Sequence, residues 1–103
     1  MNELSVHPIA CLRDNYCYLI RCQDSGDTAL VDPSEGGPVL AELERRAIEP
    51  VAILNTHHHP DHVGGNESLL RRWPHLRVYG HTSDRGRIPG QTDFLEDLQT
   101  LSI

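Results

Sequence analysis

The sequence is short of positive charge, of cysteine and of long apolar runs, and each shortage closes off a class of protein. Nine Lys and Arg stand against fifteen Asp and Glu, for a net charge of −6. A protein that tracks a phosphate backbone usually carries basic patches, so no nucleic acid is expected as the main partner. Met1 is followed by a polar stretch with no cationic segment, and nowhere does an apolar run reach the length of a bilayer span. Neither a signal peptide nor a transmembrane helix is expected, and the chain reads as cytoplasmic, without membrane contact. The three cysteines, Cys11, Cys17 and Cys22, are odd in number. If Cys17 and Cys22 share a strand, their odd separation points them to opposite faces and forbids a bridge. Free thiols in a reducing compartment are the expectation. Internal repeats and low-complexity segments are also absent. With 38% hydrophobic and 23% charged residues over 103 positions, the chain is an ordered small domain, or a piece of a larger one, able to bury a core.

What is present follows an α/β order. Leu4 to Ala10 reads as a short strand broken by Pro8, and Asn15 to Cys22 as a second strand. In the latter, Tyr16, Tyr18, Ile20 and Cys22 share one side, and Cys17, Leu19 and Arg21 the other. Asp24-Ser25-Gly26-Asp27 is a turn, and Thr28 to Val31 a third strand closed by Asp32, which Pro33 pushes toward extended backbone. Gly36-Gly37-Pro38 opens a helix with proline at its first position; Val39, Leu40, Leu43 and Ala47 form its apolar stripe, and Glu42 pairs with Arg46. Val51 to Leu54 is uniformly apolar, as in a strand covered on both faces. Gly64-Gly65-Asn66 leads into a second helix with Leu69, Leu70 and Trp73, stopped by Pro74, and Leu76 to Tyr79 is a further strand. A turn-rich stretch from Gly80 to Gly90 and a poorly periodic tail from Gln91 to Ile103 complete the chain. Strands first, then alternating helices and strands, predict a layered α/β fold with a mixed sheet.

The chemistry is concentrated in Thr56-His57-His58-His59-Pro60-Asp61-His62, directly after the apolar run. His57, His59, Asp61 and His62 are neutral imidazoles and a carboxylate, the ligand types that zinc and related divalent metals accept. His57 and His59 are alternate residues and can face one point. Asp61 and His62 follow Pro60, which redirects the chain, and can face a second. His58 points away on the same alternation. Two adjacent metals activate a water and stabilise a developing oxyanion. The loop at a strand's carboxyl end is where α/β sheets gather functional groups. A polar loop rich in His by chance, and a purely structural metal site, remain the alternatives.

The run Thr56-His57-x-His59-x-Asp61-His62 resembles the defining motif of the metallo-β-lactamase superfamily. Within it, Leu12-x-Asp14-Asn15-Tyr16-x-Tyr18-Leu19, Val31-Asp32-Pro33, Val63-Gly64-Gly65-Asn66 and Val78-Tyr79-Gly80 resemble glyoxalase II, the hydroxyacylglutathione hydrolases. The resemblance covers essentially the whole chain. It implies the N-terminal half of an αββα sandwich with a mixed sheet, the whole of residues 1–103 being one truncated domain. It also implies two divalent metals, usually zinc, with iron or manganese as substitutes. His57 and His59 would bind the first; Asp61, which is also the catalytic candidate, and His62 would bind the second. Asp32 would orient the metal loop from behind the ligands. The implied reaction is hydrolysis of S-2-hydroxyacylglutathione, a glutathione thioester, to a 2-hydroxy acid such as D-lactate and glutathione. Three further ligands of the complete family site have no counterpart here, and His75 and His81 are the only later histidines. The chain is therefore expected to be weak or inactive alone, and to self-associate through an uncovered sheet face. A non-catalytic metal-binding half-domain or interaction module is the competing reading.

Overall fold

The computed structural model describes residues 4–11, 15–23, 25–56, 63–84 and 86–96. Six strands form one mixed sheet in sequential order: β1 (Leu4–Cys11), β2 (Asn15–Cys22), β3 (Thr28–Val31), β4 (Ala52–Leu54), β5 (Arg77–His81) and β6 (Asp93–Leu95). The first three pair antiparallel and the last four parallel. Helix α1 (Gly36–Arg46) crosses from β3 to β4, and α2 (Asn66–Arg72) precedes β5. The expected α/β class and mixed sheet are what the chain forms.

The register explains the core. Leu19 pairs with Leu30, Leu30 with Ile53 and Ile53 with Val78, so one residue from each of four adjacent strands lies in a row on one face. Val39 and Leu43 of α1 and Leu69 of α2 pack on that face with the row, and all of them are fully or almost fully buried. Burying such side chains stabilises the fold by roughly 1.5–3 kcal/mol each. The opposite face carries the alternate residues, and Leu4, Val6, Tyr16 and Tyr18 are all exposed there. Among the described residues both helices pack on the core face, while Ala29 and Ala52 on the opposite face are also buried. Both faces of β4 are buried, at Ile53 on the core side and at Ala52 on the other, with the described helices on the core side; Val51 lies outside the strand, exposed.

Several local expectations need correction. β1 is not broken at Pro8 but runs through it, with Pro8 opposite Tyr18; the missing N–H is tolerated because β1 is an edge strand. α1 begins at Gly36, which makes Pro38 its third residue rather than its first. The position is still inside the first turn, where N–H groups lack helical acceptors. Ala47 is not part of the apolar stripe. It caps the helix in the left-handed region at φ 55°, exposed, with its N–H on the Glu44 carbonyl while the Ile48 N–H reaches the Leu43 carbonyl. That pattern ends helices and turns the buried Ile48 inward. Gln91 to Ile103 is not wholly irregular, since Asp93–Leu95 forms β6 against β5. Arg77 anchors it through a two-pronged contact with Asp93, at 2.8 and 2.6 Å.

No disulfide joins the three cysteines, all of them described, with Cys17 buried in the core and Cys22 on the other side of β2. Burial pushes the Cys11 and Cys17 thiols upward, away from the reactive thiolate.

The row predicts a sharp contrast. Leu30→Ala, which empties a site with no exposure, should cost about 2–5 kcal/mol in urea unfolding. Leu4→Ala, at 65% exposure, should stay within about 0.5 kcal/mol. A second expectation concerns acid. Hydrogen bonds from Arg45, then Arg46, hold the Glu42 carboxyl down at about 2. A carboxylate depressed in the folded state stabilises above its unfolded value and loses that contribution as pH falls through about 2. Thermal melts between pH 5 and 2 should therefore fall more steeply for the wild type than for Glu42→Gln.

Candidate metal centre

The parallel strands β3, β4 and β5 bring their carboxyl ends to one edge of the sheet. The connection leaving β4 there contains the His motif. His57, His58, His59, Asp61 and His62 lie outside the described residues. What the structure does describe is how the segments on either side are held.

Asp32 follows β3 and is almost fully buried. Its Oδ1 accepts the Thr56 backbone N–H at 2.7 Å and its Oδ2 accepts the Thr56 hydroxyl at 2.6 Å. One carboxylate thus grips both donors of the residue immediately before His57. The extended backbone expected at Asp32 is not what forms. Its φ is +52°, in the left-handed region that Asp tolerates better than most residues because its side chain is short and polar. The Asp32 N–H bonds to the Leu54 carbonyl of the neighbouring strand at 2.9 Å, and the carboxylate reaches Thr56 just beyond it. Three tertiary bonds to β4 and its exit outweigh the local preference that Pro33 imposes.

On the far side of the motif, the Gly65 N–H bonds to the Pro33 carbonyl at 2.6 Å. This approach has no room for a side chain, because a Cβ on Gly65 would lie 2.7 Å from the Pro33 oxygen. Asn66 opens α2 with no exposure. It donates from Nδ2 to the Asn55 Oδ1 at 2.7 Å and to the Pro89 carbonyl at 3.2 Å. Nothing in the sequence singles out Asn55 and Asn66 as partners; an Asn just outside a strand and another beginning a helix are ordinary turn and cap residues. His81 ends β5, and its Nδ1 takes the Ser83 N–H at 3.1 Å with the Ser83 hydroxyl at 2.9 Å. An open cleft of about 450 Å³ lies beside the start of α2, lined by Glu67, Arg87, Ile88, Gln91 and Phe94 among others. Another of about 580 Å³ lies at the far ends of the helices, between Ala47 and Trp73, away from this edge.

Among the described residues no group of three or more His, Cys, Asp or Glu is placed to hold a metal, so a metal reading rests on the 57–62 segment and the clamps around it. A family model described as the metallo-beta-lactamase superfamily matches residues 12–99. The chain belongs to the metallo-beta-lactamase superfamily. Superfamily relatives in cyanobacteria are similar along nearly all of it. A hydroxyacylglutathione hydrolase of Synechococcus sp. strain JA-2-3B'a(2-13) is 52% identical over 100 residues, covering 97% of this chain and 40% of that protein. Those of Synechocystis sp. and Gloeobacter violaceus are 48% and 50% identical, covering 39% of each relative and 97% and 95% of this chain. The chain thus spans about 40% of the length of these curated relatives. Among solved superfamily structures, the BLEG-1 B3 metallo-beta-lactamase superposes with a TM-score of 0.77 at 22% identity, over 98% of this chain and 56% of that one. TTHA1623 in a di-iron-bound form follows at 0.68 and 26%, over 90% and 56%.

Gly65 and Gly37 give a paired test of the clamp. Gly65→Ala forces the Pro33 carbonyl away and should lower the melting temperature. Gly37→Ala, with nothing within 4 Å of the new methyl, should be neutral or stabilising by up to about 1 kcal/mol. Equal effects in thermal melts would show that the Gly65–Pro33 approach does not constrain the fold.

Proposed function

We propose that this chain carries the first-half metal ligands of a glyoxalase II-type thioester hydrolase, with S-2-hydroxyacylglutathione as the substrate class. The observation that carries this reading is the Thr56-His57-x-His59-x-Asp61-His62 run, leaving the carboxyl end of β4 beside the Asp32 clamp. About 50% identity to proteins named hydroxyacylglutathione hydrolase supports the same reaction. The donor set fits a divalent metal: three imidazoles and a carboxylate suit zinc, iron and manganese. A solved relative in a di-iron form supports iron as an alternative to zinc.

In this reading His57 and His59 hold one metal, and Asp61 and His62 the other. Bound there, the metals supply Lewis acidity toward a carbonyl oxygen and bring the pKa of water down to about 7. Asp61 is the carboxylate at the reacting centre. Asp32 holds Thr56 by two bonds and so orients the segment that begins at His57. The net reaction places the water oxygen on the acyl carbon, breaks the C–S bond and returns a proton to the departing glutathione sulfur. Residues 1–103 form one domain unit in this account. The exposed apolar face with Leu4, Val6, Tyr16 and Tyr18 supports association with a further chain or segment. No described helix is long and apolar enough to cross a membrane, which fits a cytoplasmic setting.

A second reading has its own support. Three imidazoles and a carboxylate are also the number of ligands that one closed tetrahedral metal takes, as in a non-catalytic metal-binding half-domain. Metal analysis and hydrolysis of S-D-lactoylglutathione separate the two. Uptake of two metals per chain, with weak turnover at most, is expected of the hydrolase half, and metal uptake should fall in the His59→Ala and Asp61→Ala variants. One firmly held metal without turnover establishes the half-domain instead. A chain that takes up no metal overturns both readings.

A further inference from the structure

The Asn55–Asn66 pair brackets the metal motif without belonging to it. Asn55 follows β4 and Asn66 begins α2, eleven positions apart, with all of residues 57–62 between them. The bond from Asn66 Nδ2 to Asn55 Oδ1 measures 2.7 Å, and the return contact from Asn55 Nδ2 to Asn66 Oδ1 measures 3.5 Å. Asn66 is fully buried and Asn55 is 6% exposed. The second Nδ2 hydrogen of Asn66 reaches the Pro89 carbonyl at 3.2 Å, in the segment that leads from β5 to β6.

Two buried amides are an expensive way to fill space. Each must be paired to avoid a desolvation penalty, and an apolar pair of similar shape would pack as well or better. What the amides add is direction, because a hydrogen bond fixes both separation and orientation, whereas apolar contact fixes neither. The direction is applied where it matters most, between the residue two positions before His57 and the residue four positions after His62. The Asp32 carboxylate meanwhile holds Thr56, and Pro33 holds Gly65. The entry and exit of the ligand segment are thereby tied to each other and to the ends of β3 and β5.

We propose that Asn66, acting through Asn55, is a positioning residue for the metal site: the amide pair presets the span of the 57–62 segment so that its ligands meet the metal already gathered. The proposal rests on the metal reading above. Ligand groups that must be gathered at the moment of binding pay an ordering cost that preset ones do not, so loosening the staple weakens metal affinity even where the fold survives.

The test uses the full chain and zinc, with affinity read by competition against a chromophoric chelator and stability read by melting in EDTA. Asn66→Ala should weaken zinc binding about 10–100-fold, the range typical of groups that orient metal ligands. It should also lower the melting temperature in EDTA, since the buried Asn55–Asn66 bond is lost. The double variant Asn55→Ala/Asn66→Ala removes both amides and should recover part of that temperature while zinc affinity stays low. Asn55→Ala alone carries the same expectation for zinc, and decides the matter if Asn66→Ala does not fold. Wild-type zinc affinity in these variants would overturn the proposal, as would affinity that recovers in step with the melting temperature in the double variant. A wild-type chain that binds no zinc fails differently, because it removes the metal reading itself.

Discussion

The row Leu19–Leu30–Ile53–Val78 is the constraint on which the remaining architecture depends. Because the four residues face the same way, both helices must pack on one side of the sheet to cover them. Covering them from that side requires α1 to carry the chain back over the sheet, so β4 lies parallel to β3. The connection holding α2 does the same for β5. Parallel strands necessarily present their carboxyl ends together. Asp32, Asn55, Thr56 and His81 are thus neighbours at one edge as a consequence of how the core is buried.

That edge is built from polar contacts between segments distant in sequence. Asp32 reaches Thr56 across 24 positions, Asn66 reaches Asn55 across 11 and Pro89 across 23. These bonds form in a partly or fully buried setting, where each is worth more and where leaving one unmade is costly. These contacts frame residues 57–62 from both sides in the chain, with Gly65 allowing the close approach to Pro33. The opposite sheet face is a different kind of surface. Its exposed Leu4, Val6, Tyr16 and Tyr18 form an apolar patch.

Much of the fold was readable from pattern alone. Alternation in 15–22 marked β2 and its buried face, and the turn around Gly26 marked the hairpin. The 3.6-residue spacing of Val39 and Leu43 marked α1. These are local signals, repeated often enough to outvote noise. The structure departs from pattern where one residue's local preference meets a tertiary contact. Pro8 alone predicts a break, yet the edge position of β1 removes the penalty. Asp32 before Pro33 predicts extended backbone, yet it turns left-handed to give its carboxylate to Thr56. β6 leaves no pattern because three residues are too few for periodicity, and its anchor is the distant Arg77.

The sequence by itself determined the superfamily, the order of β1 to β5 with the two helices, and the imidazole and carboxylate side chains gathered at positions 57–62. All three depend on residue identity and short-range spacing, which a linear string states in full. Only the tertiary structure decided that Asp32 adopts φ +52° and grips Thr56, that Asn55 and Asn66 join the two sides of residues 57–62, and that Leu4, Val6, Tyr16 and Tyr18 lie exposed on one sheet face. The physical reason is common to all of them. Each is a relation between segments that become neighbours only after the core row is buried, and hydrogen-bond partners chosen across such distances leave no periodic trace in the chain.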